Sequence, residues 1–268
     1  MTVRIIFSQS FNKYKKKMKC HSNYLCLVLL IILSLPLKID AQDGNIEDYY
    51  DTALVYQKKG NFDSTFYYLN YAVDNLTNSW LIFNYTDFYP LYDSIRWKDF
   101  ENKVIKKIKE EYICDNKELA TELLHIYQAD QRWRANLHDY EEFSDEYAEI
   151  SRKMIETDSS NLERVEKIIA QYGYPSRKLV GLMAIDIPLL VIHHSNCEKI
   201  SQYYRLFKKT VKKEPDLQQI FMFYEDRLLL CKGKKQKYGT QSVYNEKTEK
   251  IESTPIRKST LKKYKKQF

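Results

Sequence analysis

The chain has 268 residues, 44% of them apolar and 29% charged, which is long and apolar enough for a core stabilised by burial alone. Its formal charge of +7 is unevenly placed: residues 1–41 hold seven Lys/Arg and one Asp, residues 232–268 hold 12 Lys/Arg and three Glu, and residues 42–231 hold 24 Lys/Arg against 32 Asp/Glu. The body is therefore acidic, which argues against a nucleic-acid-binding body, and six glycines with no glycine-rich phosphate loop argue against a Rossmann or P-loop nucleotide site.

The start of the chain has the layout of a secretory signal peptide. Lys15, Lys16, Lys17 and Lys19 precede an apolar run from Leu25 to Leu35, which Pro36 breaks, and Ile39-Asp40-Ala41 offers a small residue for cleavage near Ala41. The run is shorter than the ~20 residues a helix needs to cross a bilayer. Met18 is an alternative start. Cys20 and Cys26 do not end a lipoprotein-type cleavage box, so no lipid anchor is expected. Residues 1–41 are thus expected to be removed, leaving a secreted or periplasmic protein with no transmembrane segment.

Residues 42–95 read as a helical hairpin and its connection. Ala53, Tyr56, Gly60, Phe62, Leu69 and Ala72 fall near the positions of one tetratricopeptide repeat, small where two helices touch and with Gly60 at the turn. Thr65 stands where that repeat has Ala. Tyr49, Tyr50, Tyr67, Tyr68 and Tyr71 form an aromatic stripe at helical spacing, the pattern of a packed face.

From residue 96 the helical signal is continuous. Phe100, Val104, Ile108 and Tyr112 recur every four residues. Asp115 with Glu118 resembles a capping box before Leu119, Leu123 and Ile126. A further helix is expected over 142–156, and another capped by Ser160 with Glu163 and ended by Gly173. Ser176 caps a helix expected to run through Gly181 to His194 with a kink at Pro188. Ser195 with Glu198 starts the next, and Pro215 fits the first turn of the last long helix, which ends near Cys231. Gln236–Tyr244 and Lys250–Pro255 could pair as a small β-hairpin. Residues 257–268 are a basic tail. The fold class is all-α: a multi-helix bundle with an N-terminal hairpin and a small C-terminal β-hairpin.

Three cysteines follow the leader: Cys114, Cys197 and Cys231. They form neither a zinc spacing nor a Cys-x-x-Cys pair and read as buried structural thiols. No cofactor motif and no metal-ligand spacing is present.

The chemistry-bearing residues lie in the second half. His193 and His194 end an apolar stretch. Adjacent helical positions point about 100° apart, so the two rings do not readily chelate one ion. A histidine there can complement a helix end, pair with an acid, or act as acid or base. Asp130 and Arg134 share a helical face four residues apart. Asp226 and Arg227 interrupt an apolar helix, where charge must be paired or solvated. These acid–arginine pairs read as well as bundle cross-links as they do as catalytic groups. Gly239 permits a turn, and Thr240 and Gln241 offer neutral hydrogen bonds.

Taken in order, Asp130-Gln131, Tyr172-Gly173-Tyr174-Pro175-Ser176, Gly181, His193-His194, Glu225-Asp226-Arg227 and Gly233 to Gln241 resemble a bacterial family of unknown function whose members are often exported. The resemblance covers about residues 96–256. It singles out Asp130, Gln131, Arg134 and His194; Tyr174 stands where Trp is commoner, and His193 where the family usually has Gln. It brings no established reaction. The expected function is an exported helical binding or interaction protein, taking a protein partner or a small polar ligand in the envelope. The alternative is an envelope or extracellular hydrolase in which His194 is the acid or base, Asp130 or Asp226 orients it, and Gln131, Arg134, Arg227, Thr240 and Gln241 bind the ligand.

Overall fold

A computed structural model describes residues 5–6, 45–137, 139–141, 144–245 and 250–256. Most of the expected leader and the basic tail from 257 lie outside the described residues. The body is all-α. Helices α1 (Ile46–Lys58) and α2 (Phe62–Asn75) pack on each other across a tight turn in which Gly60 takes φ +71°. Each has an asparagine N-cap: Asn45 accepts from the Glu47 N–H and Asn61 from the Ser64 N–H. The connection after α2 is not open chain. Two 3₁₀ helices, Ser79–Asn84 and Thr86–Leu91, bury Ile82, Phe83, Phe88 and Leu91 in the core.

Helix α3 (Ile95–Glu111) buries Trp97, Phe100, Val104 and Ile108 on one side, the four-residue periodicity of the sequence. Helix α4 (Lys117–Leu137) begins on Asn116, whose side chain accepts from the Leu119 N–H. The cap is therefore Asn116 and not the expected Asp115 box.

Helix α5 (Asp145–Tyr172) is one unbroken helix where two were expected. Thr157, Asp158, Ser159, Ser160 and Asn161 are poor helix formers because their side chains compete for backbone groups. Here three of those side chains are held by α4 instead. Thr157 accepts from the Trp133 indole N–H at 2.9 Å, Asp158 pairs with Arg134, and Asn161 donates to the Ile126 carbonyl at 3.3 Å. Tertiary partners replace the local competition, and the helix continues to Gly173 at φ +69°.

Ser176 does cap a helix, accepting from the Leu179 N–H, but α6 (Arg177–Val180) is a single turn. Gly181 ends it at φ +79°, and a Cβ there would lie 2.5 Å from the Tyr112 ring, so no other residue fits. The apolar helix is thus only α7 (Ile187–His194), and Pro188 sits in its first turn, where it causes no kink. Asn196, not Ser195, caps α8 (Cys197–Val211). A 3₁₀ turn at Pro215–Leu217 leads into α9 (Gln218–Cys231). Cys197 and Cys231 are joined in a disulfide that ties the start of α8 to the end of α9, which overturns their reading as free thiols; Cys114 remains a thiol.

Gln236 to Gln241 is a loop clamped onto α9, not the long strand expected there. Its backbone N–H groups at Lys237, Tyr238 and Thr240 go to the Asp226 carboxylate, so a strand partner cannot have them. Past it, β2 (Ser242–Asn245) and β3 (Lys250–Ser253) form only a four-pair antiparallel ladder, and the two-residue β1 (Ile5–Ile6) pairs with Val243 and Ser242. One continuous core runs from Tyr50 in α1 to Leu228 in α9. Among the described residues, no helix is long and apolar enough to cross a membrane.

Candidate functional site

Four helices deliver charged side chains to one place beside the core. α4 packs against both α5 and α7, and α7 packs against α9. Position 130 of α4 faces inward, and Asp130 is 1% exposed. An isolated carboxylate at such a place would be costly, but this one is fully partnered. Its Oδ1 lies 2.8 Å from His194 Nδ1. Its Oδ2 accepts from the Gln131 amide at 2.6 Å and lies 3.4 Å from Arg134 Nη1. Arg134 also donates to the Asp130 carbonyl one turn back. The other end of its guanidinium binds both oxygens of Asp158 on α5, at 2.9 and 2.8 Å.

Burial alone would raise the Asp130 carboxyl; His194 and Arg134 outweigh it and hold it below the usual carboxylate range. Asp130 is therefore an ionised acceptor, and it fixes His194 as the Nδ1–H tautomer with the lone pair on Nε2. Burial, and then Arg134, push His194 below its ordinary value against the pull of Asp130. Neutral imidazole is the resting form. His193, fully buried, is driven lower still by burial and by His194, Arg227 and Arg134.

Three successive residues of α9 take three directions, as a 100° step requires. Glu225 points outward and accepts from Tyr204, Lys237 and Tyr238. Asp226, fully buried, turns to the following loop: it accepts the N–H groups of Lys237 at 2.6 Å, Tyr238 at 3.0 Å and Thr240 at 3.0 Å, and the Thr240 hydroxyl at 3.0 Å. Gln236 closes the same loop through the Gln241 and Thr254 carbonyls, and the Gln241 side chain reaches the Phe223 carbonyl. Gly239 takes φ +82° with Ile256 packed 2.7 Å from where a Cβ would stand.

Arg227, the third, is half-buried and within electrostatic reach of Arg134 and Asp158. Burial, and then Arg134, push it down to about 10 while Asp158 pulls it up. Among the described residues no carboxylate comes within ion-pair distance of it, because the Asp158 oxygens are taken by Arg134.

Of the residues singled out in the sequence, the fold brings Asp130, Gln131, Arg134 and His194 into contact and leaves Arg227 within electrostatic reach of them. It places Asp226, Thr240 and Gln241 in a separate, structural clamp. Asp158 completes the cluster and was missed, because its Ser/Asp-rich surroundings read as a break between helices. Asp130, Asp158 and His194 also offer ligand atoms within 4.8 Å of one another, a spacing that suits a metal ion. Arg134, however, lies on both carboxylates, and Arg227 adds a second positive charge beside them. The donor set is built around a guanidinium, and a dication would have to displace it.

The whole cluster lies within residues 117–260, which match the model of a family of unknown function (DUF6624). The chain belongs to that family. All of α4 to α9 falls inside the DUF6624 match, while α1 to α3 precede it. No curated protein and no solved structure matches the chain.

Proposed function

We propose that this protein is an exported helical binding protein that holds the acidic group of a small polar ligand against Arg227, beside the His194–Asp130 pair. The observation that carries the reading is Arg227. A cluster that served only to cross-link helices would pair its cations, and Arg134 is so paired; Arg227, within electrostatic reach of Arg134 and Asp158, has no carboxylate at ion-pair distance among the described residues. A guanidinium recognises carboxylate or phosphate through paired N–H groups. Export is supported by the leader pattern and by the Cys197–Cys231 disulfide, since such bonds persist mainly in oxidising compartments. A thermal-shift screen of small organic acids and phosphates tests the reading. At least one should raise the melting temperature of the native chain and lose most of that effect in Arg227→Gln. A screen in which no acid stabilises the protein sinks it.

A second reading, hydrolysis, is favoured by the 2.8 Å bond between His194 Nδ1 and the Asp130 carboxylate. That contact is the orienting half of an acid–base pair and leaves the basic lone pair on Nε2. Asp130 would fill that orienting role, since Asp226 is committed to the loop. Once any turnover is detected, His194→Ala should reduce it by about 10² or more; unchanged turnover in that variant removes this reading.

A further inference from the structure

We propose that the face built by α8, the end of α9 and the loop after it docks on an anionic lipid surface, with the basic segment from residue 257 onward as the second half of the same contact. The proposal is independent of the acid-binding reading above, since none of its residues belongs to the Asp130 cluster.

The first ground is a patch of cations gathered by the fold around Tyr204 of α8. The Lys208 ammonium lies 5.4 Å from the Tyr204 ring centroid and that of Lys232 lies 5.9 Å from it. The Tyr204 hydroxyl and the Lys237 ammonium both donate to Glu225. These three residues line a pocket of about 250 Å³ with Leu228 and Leu229. Lys234 and Lys235 stand exposed between Lys232 and Lys237. Glu225, the acid that meets them, is only 16% exposed in its side chain. Among the described residues, no carboxylate comes within ion-pair distance of Lys208, Lys232, Lys234 or Lys235. Like charges held this close repel one another, and an anionic surface laid against them relieves that repulsion.

The second ground is where the chain continues. The Gln236 N–H donates to the Pro255 carbonyl, and Gln236 bridges to Ile256. Residue 257 therefore follows from beside the patch. Residues 257–268 add six Lys/Arg and no Asp/Glu, whereas residues 42–231 hold 24 Lys/Arg against 32 Asp/Glu. A charged surface attracts one end of such a molecule and repels the rest, which selects one orientation.

The third ground separates lipid from other polyanions. Leu261, Tyr264 and Phe268 recur at i, i+3 and i+7, with Lys262, Lys263, Lys265 and Lys266 between them. That is the pattern of a segment that lays an apolar side into the headgroup boundary and keeps its cations among the headgroups. A nucleic-acid strand would use open ring faces for stacking, and Tyr204 has two ammonium groups over its ring.

The experiment is co-sedimentation of the full chain with phosphatidylcholine vesicles containing about one-third phosphatidylglycerol, and with phosphatidylcholine alone. Binding to the anionic vesicles should be at least about tenfold stronger and should be lost in about 1 M NaCl, where charge is screened within about 3 Å. Lys232→Gln, Lys234→Gln and Lys235→Gln together should weaken it by on the order of 100-fold, about fivefold for each lysine. Gln at 262, 263, 265 and 266 should weaken it at least as much, and neither set should move the melting temperature. Inorganic phosphate should release the protein no better than chloride at equal ionic strength. Equal binding to neutral vesicles, or equal binding by both variants, overturns the proposal, because the apolar run of residues 25–35 would then be what partitions. Weakening in one variant alone overturns the shared contact. Specific release by phosphate assigns the patch to the free ion, and tighter binding of a single-stranded DNA oligonucleotide than of anionic vesicles assigns it to nucleic acid; either result overturns the lipid surface.

Discussion

His193 illustrates how a residue can be decisive without being exposed. It lies fully buried with its ring 5.6 Å from that of His194, and burial, with the charges of Arg227 and Arg134, keeps it neutral. In an unfolded chain the same ring would titrate at about 6.5. A folded-state value below the unfolded one means that the unfolded chain binds more protons between the two, so stability rises with pH across that window. The contribution is fully present above about 6.5 and is lost as pH falls through that value towards the folded one. His194 is shifted in the same direction and adds to it. Urea midpoints should therefore fall between neutral and mildly acid pH, and His193→Gln should flatten that fall. Equal acid sensitivity in the variant would show that other groups carry it.

At the scale of the element, the segment from Gln236 to Gln241 behaves as an extension of α9. Its geometry depends on Asp226, which accepts three backbone N–H groups and one hydroxyl. Hydrogen bonds to a charged group contribute more than neutral ones, and the donors orphaned by removing the carboxylate add a further cost. Asp226→Ala should destabilise the protein by on the order of 3 kcal/mol. In hydrogen exchange, the amides of Lys237, Tyr238 and Thr240 should lose their protection while those of α4 keep theirs. If these three amides stay protected, the clamp is held by Gln236 instead. α5 makes the complementary point. Its weak middle is a helix only because Trp133, Arg134 and the Ile126 carbonyl meet it, so local propensity predicted a break that packing closes.

For the molecule as a whole, the family match begins at 117, but the packing does not. The Asp115 and Asn116 N–H groups bond to the Lys178 and Leu179 carbonyls, the Tyr112 hydroxyl accepts from the Met183 N–H at 3.0 Å, and Phe83 packs edge-on against His125. A fragment of residues 117–260 would expose the α4 face now covered by α3 and the 3₁₀ turns. It should be recovered as an aggregate or a loosely packed species without a cooperative thermal transition; a sharp transition would show that the N-terminal helices are dispensable.

How far the sequence alone reaches follows from the same contacts. The all-α class and the α3 face were legible because apolar periodicity records burial directly. Asp226 and Arg227 stood out because charge in an apolar helix needs a reason, and Asp130, Arg134 and His194 because they fall in the motifs that resemble the family. The disulfide, the Asp158 partnership and the parting of Asp226 from Arg227 were not legible. Each depends on which helices meet and at what rotation, and periodicity within one segment does not carry that information.

Glu225, Asp226 and Arg227 set a limit on how α9 can change. Because the three tasks are assigned by rotational phase, one residue inserted between Tyr224 and Glu225 would advance them all by about 100°. Glu225 would then meet the loop amides and Asp226 would point at Asp158 and His194, placing three acids around one arginine. A substitution in α9 alters one of the three tasks, but insertions and deletions upstream of Glu225 exchange the sign of the site. Length variation in this family's last long helix should therefore be confined to the side beyond Arg227.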